Sequence, residues 1–395
     1  MTKKEKIETR LAQAGRTDEW TSGIVNPPVY HASTCVFETL ADFDHANANP
    51  SSGLFYGRRG TPTQWALEAA MMETEPGAAG CRLTPSGVSA IAAGLLSVVK
   101  SGNHILVVDN AYSPTRGICN GLLKDMGVET TYFDPLIGAG IAELMRENTA
   151  AVFCESPGSL TFEVQDIPAI SQAAHAHGAA VLMDNTWATG LLFNPFDFGV
   201  DISIQALTKY VVGHSDAMLG CIMANDAYWP KTEQTVFRLG LCAAPDDAFL
   251  GSRGLRTLAL RLQQHEKSAL EIAHYLRGHD SVATVLHPAF EECPGHAIWK
   301  RDFKGASGLF SFALKRGTYA DLAVLVDHLR HYKMGFSWGG YESLILPLDL
   351  RGIRSATKPE FPGPLLRLQI GLEASQDLID DLSEGLSRYE AALGA

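Results

Sequence analysis

The apolar run Ile202–Gln205 leads straight into Thr208 and Lys209, and the chain then meets Gly213. A lysine at the end of a buried strand is costly to keep charged, so its pKa should fall, and a neutral amine there suits Schiff-base formation with an aldehyde. Upstream, Asp184 ends another apolar run, Ala179–Met183. Two neighbouring parallel strands would deliver Asp184 and Lys209 to one carboxyl edge, where ligands of open α/β sheets bind. Singly, the lysine reads as a surface residue and the aspartate as a turn or helix cap. A third element, Thr84-Pro-Ser86-Gly87-Val88-Ser89, is a turn of small residues opening an Ala-rich helix. Amides at such a helix start favour an anion, and Gly87 lets the backbone approach an oxygen. No Walker or Gly-x-Gly-x-x-Gly pattern competes for that role. An amine for an aldehyde, an acid for a ring nitrogen and an anion cradle are together what pyridoxal 5′-phosphate (PLP) requires.

The elements that must position these groups follow from periodicity. Strand-length apolar runs occur at His104–Val108, Ala151–Cys154, Ala180–Met183 and Ile202–Gln205, with helical spacing over Ile167–His177. Buried strands separated by such helices predict a mostly parallel sheet covered on both faces. Residues 1–60, rich in Pro, Asn, Ser and Gly, read as an arm with a short helix at its start, unable to bury a core of its own. A large domain is expected over 61–252 and a smaller C-terminal α+β domain over 253–395. A long helix, Ser252–Leu276, would link them. In the smaller domain Leu309–Leu314 and Leu366–Ile370 alternate as half-buried strands do, and helices are expected over Ala320–Leu329 and Gln376–Leu393.

Composition narrows the function classes. The 395 residues carry a net charge of −12, which disfavours nucleic acid or an anionic membrane as a partner. No stretch approaches the length of a membrane span. The seven cysteines are odd in number and contain no Cys-x-x-Cys, so reduced thiols in a cytoplasmic protein are the expectation. The first residues lack the apolar run of a secretory signal. Thirteen histidines invite a metal site, but no His-Glu-x-x-His occurs. His175 and His177 would point apart on a helix, while His328 and His331 could share a face. No metal is expected.

The combination of Ser86-Gly87, Asp184-Asn-Thr-Trp187 and Ala206-Leu-Thr-Lys209-Tyr-Val-Val-Gly-His-Ser215 resembles the Cys/Met-metabolism family of fold-type I PLP-dependent enzymes, from Tyr56-Gly-Arg58 to Arg367. The resemblance implies the transferase-like α/β fold of that family, with Lys209 holding PLP and Asp184 on the pyridine nitrogen. Tyr112 would stack on the ring, while Ser86, Gly87 and Val88 amides and the Thr208 hydroxyl bind phosphate. Tyr56 and Arg58 of the arm would reach the phosphate of an adjacent subunit, Tyr56 also meeting substrate. A homotetramer built from active-site-sharing dimers is implied. Ala206 departs from relatives that carry Ser there. Arg367, on an alternating strand, would grip a substrate carboxylate with its planar fork.

Relatives perform β-elimination, γ-elimination or γ-replacement on sulfur amino acids. Ser337-Trp338 before Gly339-Gly340 resembles the β-eliminating members, whereas γ-active ones tend to have a smaller aliphatic residue at Trp338. Ser337 and Trp338 would border the substrate, expected to be L-cystathionine, cleaved to homocysteine, pyruvate and ammonia. Lys209 would take the Cα proton and Tyr112, as phenolate, a proton from the substrate amine. A γ-lyase or γ-synthase reaction and a non-catalytic regulator on the same fold stay open. A core Trp packed between domains is the plain alternative for Trp338.

Overall fold

The computed structural model describes residues 5–394 and arranges its strands in two sheets. The first contains β1 (Gly80–Thr84), β2 (His104–Val108), β3 (Glu129–Phe133), β4 (Thr149–Glu155), β5 (Ala180–Asp184), β6 (Ile202–Gln205) and β7 (Gly220–Ala224). Their spatial order is β1-β7-β6-β5-β4-β2-β3. The ladders from β3 through β6 are parallel, and β7 runs antiparallel to both β6 and β1. Every residue of β2, β5, β6 and β7 is buried, as expected for a sheet with helices on both faces. The mostly parallel sheet read from sequence is therefore present. Strands β1, β3 and β7 were not legible in the apolar pattern.

The second sheet orders β8 (Val282–Leu286), β9 (Leu309–Leu314), β10 (Lys333–Met334), β11 (Leu344–Leu348) and β12 (Leu365–Gln369) as β10-β11-β12-β9-β8. It is antiparallel except for the short β10–β11 pair. The expected alternation fails here: β9 and β12 are buried at every position. One face packs helices Leu258–Arg277 and Ser375–Ala392. The other meets the first sheet's side of the molecule, where Trp187 Nε1 donates to the Leu309 carbonyl at 3.0 Å.

The single linking helix expected from Ser252 to Leu276 is two helices, Pro245–Leu255 and Leu258–Arg277. The Arg261 guanidinium explains the break. It donates to the carbonyls of Gly254, Tyr210 and Val211, so the end of the first helix is satisfied from the second rather than by continuing. Gly254 itself lies so close to the turn after Lys209 that a Cβ there would sit 2.3 Å from the Val211 oxygen. Similarly, the helix expected at Ala320–Leu329 is confined to Leu322–Val326. The buried Asp381 carboxylate accepts the amides of Arg330, His331 and Tyr332 and draws the chain out of helical geometry, so His328 and His331 share no helix face.

The arm is less irregular than its composition suggests, with helices at Ile7–Gln13, Asp18–Thr21 and Leu40–Ala48. Its first helix is docked: Leu11 is 1% exposed within the cluster that holds Leu67, Leu207, Tyr210 and Leu255. Arg256 Nη1 donates to the Leu11 carbonyl. Beyond it the arm leaves Val36 89% and Leu40 74% exposed.

Candidate active site

Strands β5 and β6 are adjacent and parallel, with Asp184 opposite Ile204. Asp184 and Lys209 therefore leave the same edge of the sheet and line one cavity of about 360 Å³. Tyr112, Trp338 and Arg367 line it as well. Lys209 Nζ donates to Ser337 Oγ at 2.6 Å and lies 5.4 Å from the centroid of the Trp338 ring. Burial, helped by the nearby Arg367 cation, lowers the Lys209 pKa to about 8, with Asp184 pulling the other way. The shift lowers the cost of deprotonation, so a minor fraction of the amine is neutral near physiological pH.

Asp184 is buried, and that burial raises its pKa. Its Oδ1 accepts the backbone N–H of Thr186 at 3.0 Å and the Thr186 hydroxyl, while Ala206 N donates to that same hydroxyl at 2.9 Å. Thr186 thereby ties β5 to the loop carrying Lys209. Asp184 Oδ2 has no hydrogen-bond partner among the described residues. Beneath Tyr112 lies Glu155, opposite Asp184 in the β4–β5 ladder. Its carboxylate accepts the Tyr112 amide at 2.7 Å. Burial pushes the Glu155 carboxyl well up, and the charge of Asp184 adds to it. Neither Thr186 nor Glu155 emerged from the sequence. Thr186 had a signal, since an Asp two residues before Thr is a common Asx-type turn; Glu155 had none.

Tyr112 is raised above its ordinary pKa, first by burial and then by Glu155 and Asp184. These surroundings favour the phenol over the phenolate expected from the resemblance. Arg367, in the middle of the second sheet, is buried, and burial lowers its pKa to about 10. Its Nη2 donates to the Ser337 carbonyl at 3.1 Å. Ser337 has φ +79, a left-handed conformation uncommon for a residue with a side chain. Its hydroxyl and carbonyl are held by Lys209 and Arg367 respectively. Trp338 bridges the two readings given to it: it borders the cavity and also packs on Tyr210, with ring centroids 5.3 Å apart.

At the other end of Lys209's loop, Ser86 caps the helix Gly87–Val98. Its hydroxyl accepts the Ser89 amide and its own amide donates to the Ser89 hydroxyl oxygen, so the Ser86 N–H is engaged. The Gly87 and Val88 amides have no backbone partner among the described residues. A Cβ on Gly87 would come within 2.5 Å of the Ala206 methyl, so the helix start and the Lys209 loop approach as closely as they do only because residue 87 is glycine. Thr208 exchanges hydrogen bonds with Leu219, its hydroxyl donating to the carbonyl at 3.1 Å and accepting the amide at 2.8 Å. Tyr56 and Arg58 are not brought to Lys209. Tyr56 is 44% exposed, and Arg58 Nη1 donates to the Phe237 carbonyl at 3.0 Å on another face.

A Cys/Met-metabolism PLP-dependent enzyme family model matches residues 8–387. The chain belongs to that family. It is 48% identical to a cystathionine beta-lyase of Salmonella typhimurium over 98% of this chain and 100% of that one. To a cystathionine beta-lyase of Escherichia coli it is 46% identical over 97% and 99%. Among solved structures, a cystathionine gamma synthase of Xanthomonas oryzae superposes with TM-score 0.89 at 33% identity, covering 98% of this chain and 100% of that one. As a member of the family the chain is PLP-dependent.

The residues present fit that cofactor. The donor set offers an amine of lowered pKa, a buried carboxyl with one uncommitted oxygen and two unpaired amides at a helix start. Among the described residues no group of His, Cys, Asp and Glu could hold a metal ion. His175 instead pairs with Asp201 at 2.9 Å, and His177 with the Ala173 carbonyl.

Proposed function

We propose that the protein is a cystathionine β-lyase, cleaving L-cystathionine, with the uptake of one water, to homocysteine, pyruvate and ammonia. The observation that carries this reading is Trp338 beside Lys209 in the cavity that also gathers the Asp184 carboxyl and the Arg367 guanidinium. Similarity to two curated β-lyases over nearly the whole chain supports it further. Bound PLP supplies a protonated, electron-accepting ring that makes the substrate Cα–H acidic. The chain's own residues do the rest. Arg367 grips the α-carboxylate as a bidentate fork. Asp184, fixed by Thr186, holds the proton on the ring nitrogen. Lys209, neutral in part at physiological pH, takes the Cα proton, and Ser337 Oγ keeps its Nζ at the site. As the Cβ–S bond breaks, the thiolate takes a proton from Tyr112 or Lys209, matching the preference of Tyr112 for its protonated form. Trp338 beside Lys209 favours β- over γ-elimination by restricting how the substrate's distal arm lies. Gly87 and Val88 amides cradle the phosphate with Ser86 and Thr208 at its edge.

The remaining assignments belong to the same reading. Residues 1–60 act as an arm, 61–252 as the cofactor domain and 253–395 as the smaller domain. Tyr56 and Arg58 serve the cavity of a neighbouring subunit in a homotetramer of site-sharing dimers, supported by the exposed apolar side chains of the arm. A cytoplasmic location is supported by seven free cysteines. Among the described residues no helix is long and apolar enough to cross a membrane. The test is product identity. Purified protein with L-cystathionine should yield pyruvate and a free thiol, and a borohydride-sensitive absorption band should mark the lysine-bound cofactor. Formation of 2-oxobutyrate instead would move the reaction to γ-elimination and leave Trp338 a packing residue.

A further inference from the structure

The connection between β11 and β12 supplies Asp349, Leu350, Ile353 and Arg354 to the wall of the cavity. Apart from Leu350 and Phe361, which pack against the core, little in this segment would hold it there by itself. It has no regular structure, and Arg351 and Asp349 are occupied with each other. What fastens it is a carboxylate from the other sheet. Asp109, fully buried just beyond β2, accepts three successive backbone amides, those of Ser355 at 2.8 Å, Ala356 at 3.0 Å and Thr357 at 2.8 Å. It also accepts the Ser355 and Thr357 hydroxyls and Arg354 Nε. Arg116, from the helix after Tyr112, donates to the same carboxylate at 3.0 Å. Arg354 in turn reaches Glu163 and the Thr161 hydroxyl, and Thr161 and Phe162 also line the cavity.

We propose that Asp109 is a positioning residue for substrate binding: it clamps the 349–357 segment onto the end of β2 and so sets the cavity wall that receives the substrate's distal arm. Asp109 lies three residues before Tyr112, so one short stretch carries both the phenol and the anchor of this wall. Burial alone would raise the Asp109 pKa. The Ser355 and Thr357 amides, the Ser355 hydroxyl and Arg354 outweigh it and hold the carboxyl below its ordinary value. The clamp is therefore charged throughout the working range. Replacing the carboxylate by an amide leaves one acceptor oxygen for three amides and removes a charge partner of Arg354, which favours release of the segment over retention.

This inference rests on the β-lyase reading for its substrate but not for its geometry. The experiment uses the holoenzyme of Asp109→Asn and, because a core-facing change can impair folding, of Arg354→Gln as well. Amide hydrogen exchange over 349–357 is measured without substrate, alongside KM and kcat for L-cystathionine. The expected result is faster exchange confined to that segment, KM raised about tenfold or more, kcat within about threefold and an unchanged cofactor absorption band, since misplacing a positioning wall costs binding before chemistry. Unchanged protection of 349–357, or an unchanged KM despite its release, overturns the proposal. If wild-type protein made no pyruvate from L-cystathionine, the β-lyase reading alone would fall, and the exchange result would still decide for or against the clamp.

Discussion

The Lys209 cavity and the Tyr56–Arg58 turn are both proposed to serve one active site, yet one chain completes only the first. Around Lys209, the partners are supplied by the same chain: Ser337 for the amine, Thr186 for Asp184, the Ser337 carbonyl for Arg367. Tyr56 and Arg58 sit on the outside, with Arg58 resting on a carbonyl of its own subunit. The difference separates chemistry from assembly. On the proposed reading, the groups that move protons are preorganised by folding, whereas the arm would contribute only when a second copy meets it.

The largest effect should come from the self-contained half. Lys209→Ala should lose activity by about 10²–10⁴-fold or more, because a general base contributes that much, and should no longer carry cofactor that borohydride fixes to the protein. Turnover close to wild type with a borohydride-fixed band would break the assignment of Lys209.

The comparison itself is tested by mixing. Arg58→Ala and Lys209→Ala proteins, each weak alone, should regain activity when unfolded together and refolded as hybrids, since one interface would then pair an intact arm with an intact lysine. No recovery would place Arg58 in its own subunit's service.

The smallest effect concerns pH. Capture of PLP by the apoprotein needs the neutral Lys209 amine, so its rate should rise with pH and level off above about 8. Arg367 lowers that pKa by like-charge repulsion. Arg367→Leu should therefore move the midpoint upward, and a midpoint that stays put would show that burial and Asp184 set it without Arg367.

Much of the cavity was legible because its parts lie at strand ends and helix starts. Apolar runs announce β5 and β6, and the first polar residue after each is Asp184 or soon leads to Lys209. Antiparallel β7 and the edge strand β1 were not legible, since their short apolar runs carry no periodicity distinguishing strand from helix. The split at Arg256–Thr257 escaped because its cause is tertiary: Arg261 satisfies carbonyls from two separate segments. Glu155 and Asp109 escaped for the same reason, being defined by what they touch and not by their neighbours in sequence. The full burial of β9 and β12 reflects a covering face that alternation in one strand cannot report.

The docking of Leu11 has a practical side. The first helix is wedged beneath Tyr210, the residue next to Lys209, and Arg256 latches it at the break between the two linking helices. Trimming the chain past Gln13, or fusing a rigid tag close to Ile7, would lay bare an oily socket formed by Leu67, Leu207 and Leu255. Crystallographers and engineers who treat this end as dispensable would thus be loosening the floor under the reactive lysine from more than a hundred and ninety residues away.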